Sequence, residues 1–172
     1  MRYMEIVSLP KYSIRIKGKQ AAVVVNPIGK SDGNASIILQ GSSQSRYSPR
    51  DGVIIASPGE YEVAGMKIKG SNIDDTLSFS ISVDSVDVLL GKLTTFEKSH
   101  SKLSEHDIVI VDVDAVIDPS FITSLSGHII ILTGEKASEV VDTFIKDNVS
   151  KLQKFSSTKE KLPQEVETIL LQ

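Results

Sequence analysis

His100, His106 and His128 are the only imidazoles in a chain of 172 residues that contains no cysteine. Without thiols there is no disulfide, thiolate zinc site, iron–sulfur cluster or cysteine nucleophile. A metal centre or a general base must therefore come from three histidines and from carboxylates. His100 and His106 stand six positions apart, whereas a metal pair on one helical face stands three or four apart. His128 borders an apolar strand and reads as a packed or exposed side chain rather than a ligand. Asp112, Asp114 and Asp118 begin like a calcium loop. That loop needs Gly at its sixth position and Glu at its twelfth, where this chain has Ile117 and Thr123. A strand end and a helix cap before Pro119 account for these acids. Gly29-Lys30-Ser31 lacks the earlier glycine of a phosphate-binding loop, since Val24 stands in its place. Gly41-Ser42-Ser43-Gln44-Ser45 lacks the closing glycine of a nucleophile elbow. No local motif names a reaction.

The elements that would position these groups are mostly short strands. Tyr3–Val7 and Tyr12–Lys17 alternate apolar with polar residues, and Ala21–Asn26 is a β-branched run stopped by Pro27. Lys17-Gly18-Lys19 reads as a hairpin turn. Ala35–Gln40 and Gly52–Ala56 follow as strands around the polar loop Gly41–Asp51. Tyr61–Val63, Met66–Lys69, Leu77–Val83 and Val86–Leu90 come next, with Leu77, Phe79, Ile81 and Val83 at spacing two. The second half alternates. A helix is expected over Ser99–Glu105, a strand over Ile108–Val113, a helical turn over Pro119–Leu125 and a strand over Ile129–Leu132. A helix over Glu135–Asp147 buries Ala137, Val140, Val141, Phe144 and Ile145 on one face, and Glu165–Leu171 closes the chain as a strand. This pattern predicts two sheets with helices outside, in a single domain spanning residues 1–172.

Composition limits the partners. The 19 basic and 22 acidic residues give a net charge of −3, which argues against nucleic acid. No stretch reaches the roughly 18 apolar residues of a membrane span. Residues 1–10 have no signal-peptide pattern, so a cytoplasmic protein is expected.

A long-range pattern goes further. Met4-Glu5-Ile6, Ile14-Arg15-Ile16-Lys17-Gly18-Lys19 and Val23-Val24-Val25-Asn26-Pro27-Ile28-Gly29 resemble the N-terminal strands of the metallo-β-lactamase superfamily. Pro58-Gly59-Glu60-Tyr61-Glu62-Val63-Ala64-Gly65, followed by Met66-Lys67-Ile68-Lys69-Gly70, resembles a segment typical of its UlaG-like branch of metal-dependent hydrolases. Val88-Leu89-Leu90-Gly91-Lys92-Leu93 is similar to that branch's strand ending in Gly-Asp-Leu, and Asp107–Val111 and Ile129–Ile131 fit its next core strands.

The resemblance implies an α/β (α+β) fold, a four-layer αββα sandwich of two mixed β-sheets with flanking helices, here reduced in size. It also implies a metal site at one edge of the sheets, held by a His-x-His-x-Asp-His loop and later His and Asp ligands. Such a site lowers the pKa of bound water and polarises the scissile bond. In this sequence Ser42, Gln44 and Tyr47 take the histidine places and Arg46 the aspartate place, with Ser43 between them. Lys92 replaces the bridging Asp, the last His falls near Gly134, the supporting Asp is Asn26, and an early His falls near Lys11. No histidine precedes position 100. Arg46 and Lys92 would repel a divalent cation. The segment between Gly70 and Thr76 is shorter than the family's pocket-walling loop.

The expectation is therefore a metal-free, cofactor-free scaffold with a vestigial pocket of Ser42, Ser43, Gln44, Arg46, Tyr47, Lys92 and Gly134. Its function would be binding or structural, with no catalytic residue assigned. The alternative is a rebuilt, metal-independent pocket for an anionic small molecule. A protein partner or a homo-oligomer is a third expectation, with neither nucleic acid nor membrane involved.

Overall fold

The computed structural model describes residues 3–29, 32–39, 52–125 and 127–172. Five strands, β1 (Met4–Ser8), β2 (Ile14–Lys17), β3 (Ala22–Val25), β4 (Ala35–Ile37) and β5 (Val53–Ile55), precede a four-strand meander. That meander is β6 (Gly59–Val63), β7 (Met66–Ile73), β8 (Thr76–Val83) and β9 (Val86–Lys92). Helix α1 (Leu93–Ser99) leads to β10 (Ile108–Asp112), a 3-10 segment over Ser120–Leu125 and β11 (Ile129–Thr133). Helix α2 (Ala137–Val140) continues as a π-turn over Val141–Ile145, followed by β12 (Val149–Leu152), β13 (Lys154–Ser157) and β14 (Glu167–Leu171).

The strands form two mixed sheets, in the orders β13-β1-β2-β3-β4-β5 and β12-β14-β11-β10-β9-β8-β7-β6. Three tight turns build the meander, and each holds two consecutive residues at positive φ: Ala64-Gly65, Asp74-Asp75 and Asp84-Ser85. This is the backbone hand that matches strand twist in two-residue hairpins. The segment before Thr76 is thus a hairpin end.

Period-two alternation divides the apolar residues between two cores. Ile68, Phe79, Ile81, Val88, Leu90, Ile108, Ile110, Ile129 and Ile131 face the other sheet, meeting Ile6, Ile14, Ile16, Val23 and Ile37. Leu89, Val109, Val111, Ile130 and Leu132 face outward and are covered by Leu93 and Phe96 of α1, Ile122 and Leu125, and Ala137 and Val140 of α2. The sandwich of two mixed sheets with flanking helices is as expected. The described helices that carry this packing lie outside the eight-stranded sheet.

Three local expectations differ. The helix expected over Ser99–Glu105 is the preceding segment, α1, and only His100–Lys102 beyond it forms a 3-10 turn. Leu93 and Phe96 supply the three-residue apolar spacing; the dense run Val88–Leu93 masks it by continuing past the strand's end. The helix expected to Asp147 ends at Ile145, and Lys146 turns left-handed at φ 59°. Phe144 is 42% exposed, so the apolar stripe covers less of the sheet than its spacing suggests. β12 and β13 were not expected. They lie in different sheets, with Gln153 between them, and are largely polar edge strands carrying Lys151 and Lys154.

Candidate functional site

Three parallel strands, β9, β10 and β11, end in register. Asp112 pairs with Lys92 on one side and with Thr133 on the other. Ile108 and Ile110 face the gap between the sheets, so alternation turns Asp112 the same way. Val88 and Leu90 do the same for Lys92, and Ile129 and Ile131 for Thr133. A cation, a carboxyl and a hydroxyl thus form one row at the carboxyl rim of the eight-stranded sheet, facing the inter-sheet space.

The row is electrostatically uneasy. Burial pushes the Asp112 carboxyl up from its ordinary 3.8 to about 6; Lys92 opposes the rise and Asp114 adds to it. No hydrogen bond from a described residue offsets that burial. Asp114 is turned away, accepting from the Thr94 hydroxyl and, at 3.2 Å, the Thr94 amide. Thr133 Oγ1 is buried with no hydrogen-bond partner among the described residues. Such orphaned buried groups are rare and concentrate where ligands or reactions are handled.

Gly134 closes the row. Its φ is +106°, and a Cβ there would lie 2.5 Å from Asp112 Oδ1 and 2.8 Å from the Val113 amide nitrogen. Only glycine lets the chain turn this close under the carboxyl.

Of the residues singled out from sequence, Lys92 and Gly134 are brought together here. Ser42, Ser43, Gln44, Arg46 and Tyr47 lie outside the described residues. Lys11 is exposed in a left-handed turn, φ 57°. Asn26 is buried, also left-handed at φ 47°, and its side-chain oxygen accepts the Leu39 amide at 3.0 Å. It therefore fixes the chain just before residue 40. Replacing Asn26 by Ala orphans that amide and places Ala at positive φ. Urea unfolding should show a loss of about 2 kcal/mol.

Sequence reasoning missed Asp112 and Thr133 as site residues. The signal was present: an Asp in phase with the inward positions of an otherwise apolar strand, with no counter-charge inside its own segment.

The histidines are elsewhere. His106 and His128 precede β10 and β11, at the opposite rim, about 17–20 Å of strand from residues 112 and 133. His106 Nδ1 donates to the Ser104 carbonyl at 2.9 Å, leaving Nε2 to accept from Ser80 at 2.8 Å. His128 Nδ1 donates to the Pro163 carbonyl at 2.8 Å. His100 bonds Ser124 at 3.0 Å and packs on Phe121 at 5.3 Å between ring centres. Among the described residues no three of His, Cys, Asp and Glu converge. One desolvated carboxyl beside an ammonium and a hydroxyl is a poor donor set for zinc, which takes imidazole, thiolate and carboxylate ligands.

No family model and no curated protein matches this sequence. Solved structures do match. A candidate Zn-dependent hydrolase of the metallo-β-lactamase superfamily from Thermotoga maritima superposes with a TM-score of 0.72 at 18% identity, covering 98% of each chain. A candidate metal-dependent hydrolase from Parabacteroides distasonis gives 0.60 at 12% identity, over 99% of this chain and 94% of that one. Igni18, a metallo hydrolase from Ignicoccus hospitalis, gives 0.52 at 7% identity, over 76% and 82%. The fold is that of the metallo-β-lactamase superfamily. At these identities the likeness defines the scaffold; activity belongs to the site.

Proposed function

We propose that this chain is a metal-free member of the fold, of UlaG-like type, with a non-catalytic binding or structural role in the cytoplasm. The carrying observation is the Lys92–Asp112 pair: a lysine is in register beside a desolvated carboxyl at the end of β10. A divalent cation there would meet Lys92 at close range in a poorly solvated space. The sequence adds to this, with no histidine before position 100. Zinc and manganese, each added after chelation, should leave the melting temperature unchanged. A saturable rise of several degrees would contradict the proposal, because binding to the folded state alone stabilises it by mass action.

The buried, unbonded hydroxyl of Thr133 favours a second reading, a rebuilt pocket for an anionic small molecule. Lys92 would supply charge, with Ser42, Ser43, Gln44, Arg46 and Tyr47 as further donors. A sugar phosphate that stabilises the native chain but not Lys92→Met would assign binding to this row. Equal stabilisation of both would refute it. Pairing of copies through an open edge is a further role; Val53 and Ile54 of edge strand β5 are 49% and 46% exposed. Light scattering distinguishes a closed oligomer from a monomer.

A further inference from the structure

Arg15 carries a second buried orphan. It lies on β2, between Val7 of β1 and Val24 of β3, on the sheet face opposite the core residues Ile14 and Ile16. Its Nε is buried and donates to no described residue. A buried guanidinium N–H with no acceptor forfeits hydration without compensation. Arg15 lines a cavity of about 280 Å³, together with Lys11, Ser13, Val24, Ile28 and Asp32.

Among the described residues no carboxylate forms an ion pair with Arg15. Glu5, on the neighbouring strand, is held by Lys154, which keeps its carboxyl below the usual range against opposing burial, with smaller attractions from Lys17 and Arg15. The Ser13 hydroxyl donates to the Val25 carbonyl at 2.9 Å. Asp32 is the one carboxylate among the residues lining the cavity, and it forms no ion pair with Arg15. Lys11 adds a second cation to the cavity lining.

We propose that this groove binds a compact oxyanion, a phosphate group, with the Arg15 guanidinium as anchor and Lys11 as the second charge. A guanidinium matches phosphate geometry, and an orphaned, desolvated N–H gains more from an anionic acceptor than a hydrated one does. Ile28 and Val24 give an apolar wall for the substituent of a phosphate ester. The groove belongs to the six-stranded sheet and the Lys92–Asp112–Thr133 row to the other, so the two can fail separately.

The test is a titration with inorganic phosphate at constant ionic strength, following the Arg15 Nε–H resonance by NMR and the melting temperature. Saturable movement of that resonance is expected, with half-saturation on the order of 1 mM. Arg15→Lys should weaken binding about tenfold and Arg15→Met abolish it, since Lys offers a point charge without the fork. Asp32→Asn should tighten it, and Lys92→Met should leave it unchanged. If Arg15→Met does not fold, Lys11→Met and Asp32→Asn carry the test with opposite signs. A stationary Nε–H resonance, or equal binding by native chain and Lys11→Met, overturns the proposal. Loss of binding in Lys92→Met would move the phosphate to the other sheet and overturn it equally. Acetate in place of phosphate should bind more weakly; a tighter acetate complex would refute the phosphate assignment.

Discussion

Asp112→Asn should stabilise the protein at pH 7.5 by up to about 3 kcal/mol and leave it unchanged near pH 3.5. The carboxyl titrates at 3.8 when unfolded and at about 6 when folded, because burial disfavours its charged form. That difference corresponds to about 3 kcal/mol. The sign follows from the direction of the rise. A group that holds its proton more tightly in the fold contributes stability in full below about pH 3.8. That contribution declines between pH 3.8 and about 6 and is gone above. Asn keeps the shape of the protonated carboxyl and cannot ionise, so the two proteins diverge only as pH rises. The attraction to Lys92 is already contained in the folded value of about 6, so this figure is net of it. Glu5 runs oppositely, its lowered pKa giving stability that is lost on acidification, but it is common to both proteins and cancels in the difference. Urea unfolding at pH 3.5, 5, 6 and 7.5 measures the effect. Equal stabilities at pH 7.5 would show that Asp112 is not a strained carboxylate.

Gly134→Ala should destabilise the fold by roughly 4 kcal/mol. Two costs combine: an L residue at φ +106°, and a methyl forced against Asp112 Oδ1 at 2.5 Å and the Val113 backbone at 2.8 and 3.0 Å. Shortening Asp112 to Ala in the same chain removes the first clash and leaves the backbone contacts. The double variant should therefore recover only part of the loss. Full recovery would place the whole cost in the carboxyl contact; a loss under about 1 kcal/mol in the single variant would mean the turn relaxes freely. Gly134 is held by local geometry, consistent with its place beside a site whether or not that site reacts.

The sheets were legible because their information is local. The alternation Leu77-Phe79-Ile81-Val83 and the buried runs around Ile110 and Ile131 fix strands by periodicity. α1 was displaced because Leu93 extends an apolar strand run without a capping residue at Lys92, which makes no side-chain cap bond. β12 and β13 escaped because edge strands carry polar residues and few apolar ones. Lys92 and Gly134 were found through resemblance. Asp112 and Thr133 were missed because their meaning comes from register across three strands, about twenty residues apart in sequence at each step. No window along the chain contains that row.

The central proposal is that this scaffold holds no metal ion. The direct measurement is metal content by mass spectrometry, after equilibration with excess zinc and with excess manganese and dialysis. Far less than one ion per chain is predicted, unchanged in Asp112→Asn and in Lys92→Met. One ion per chain, lost in Asp112→Asn, would contradict the claim and make the Asp112 carboxyl a ligand.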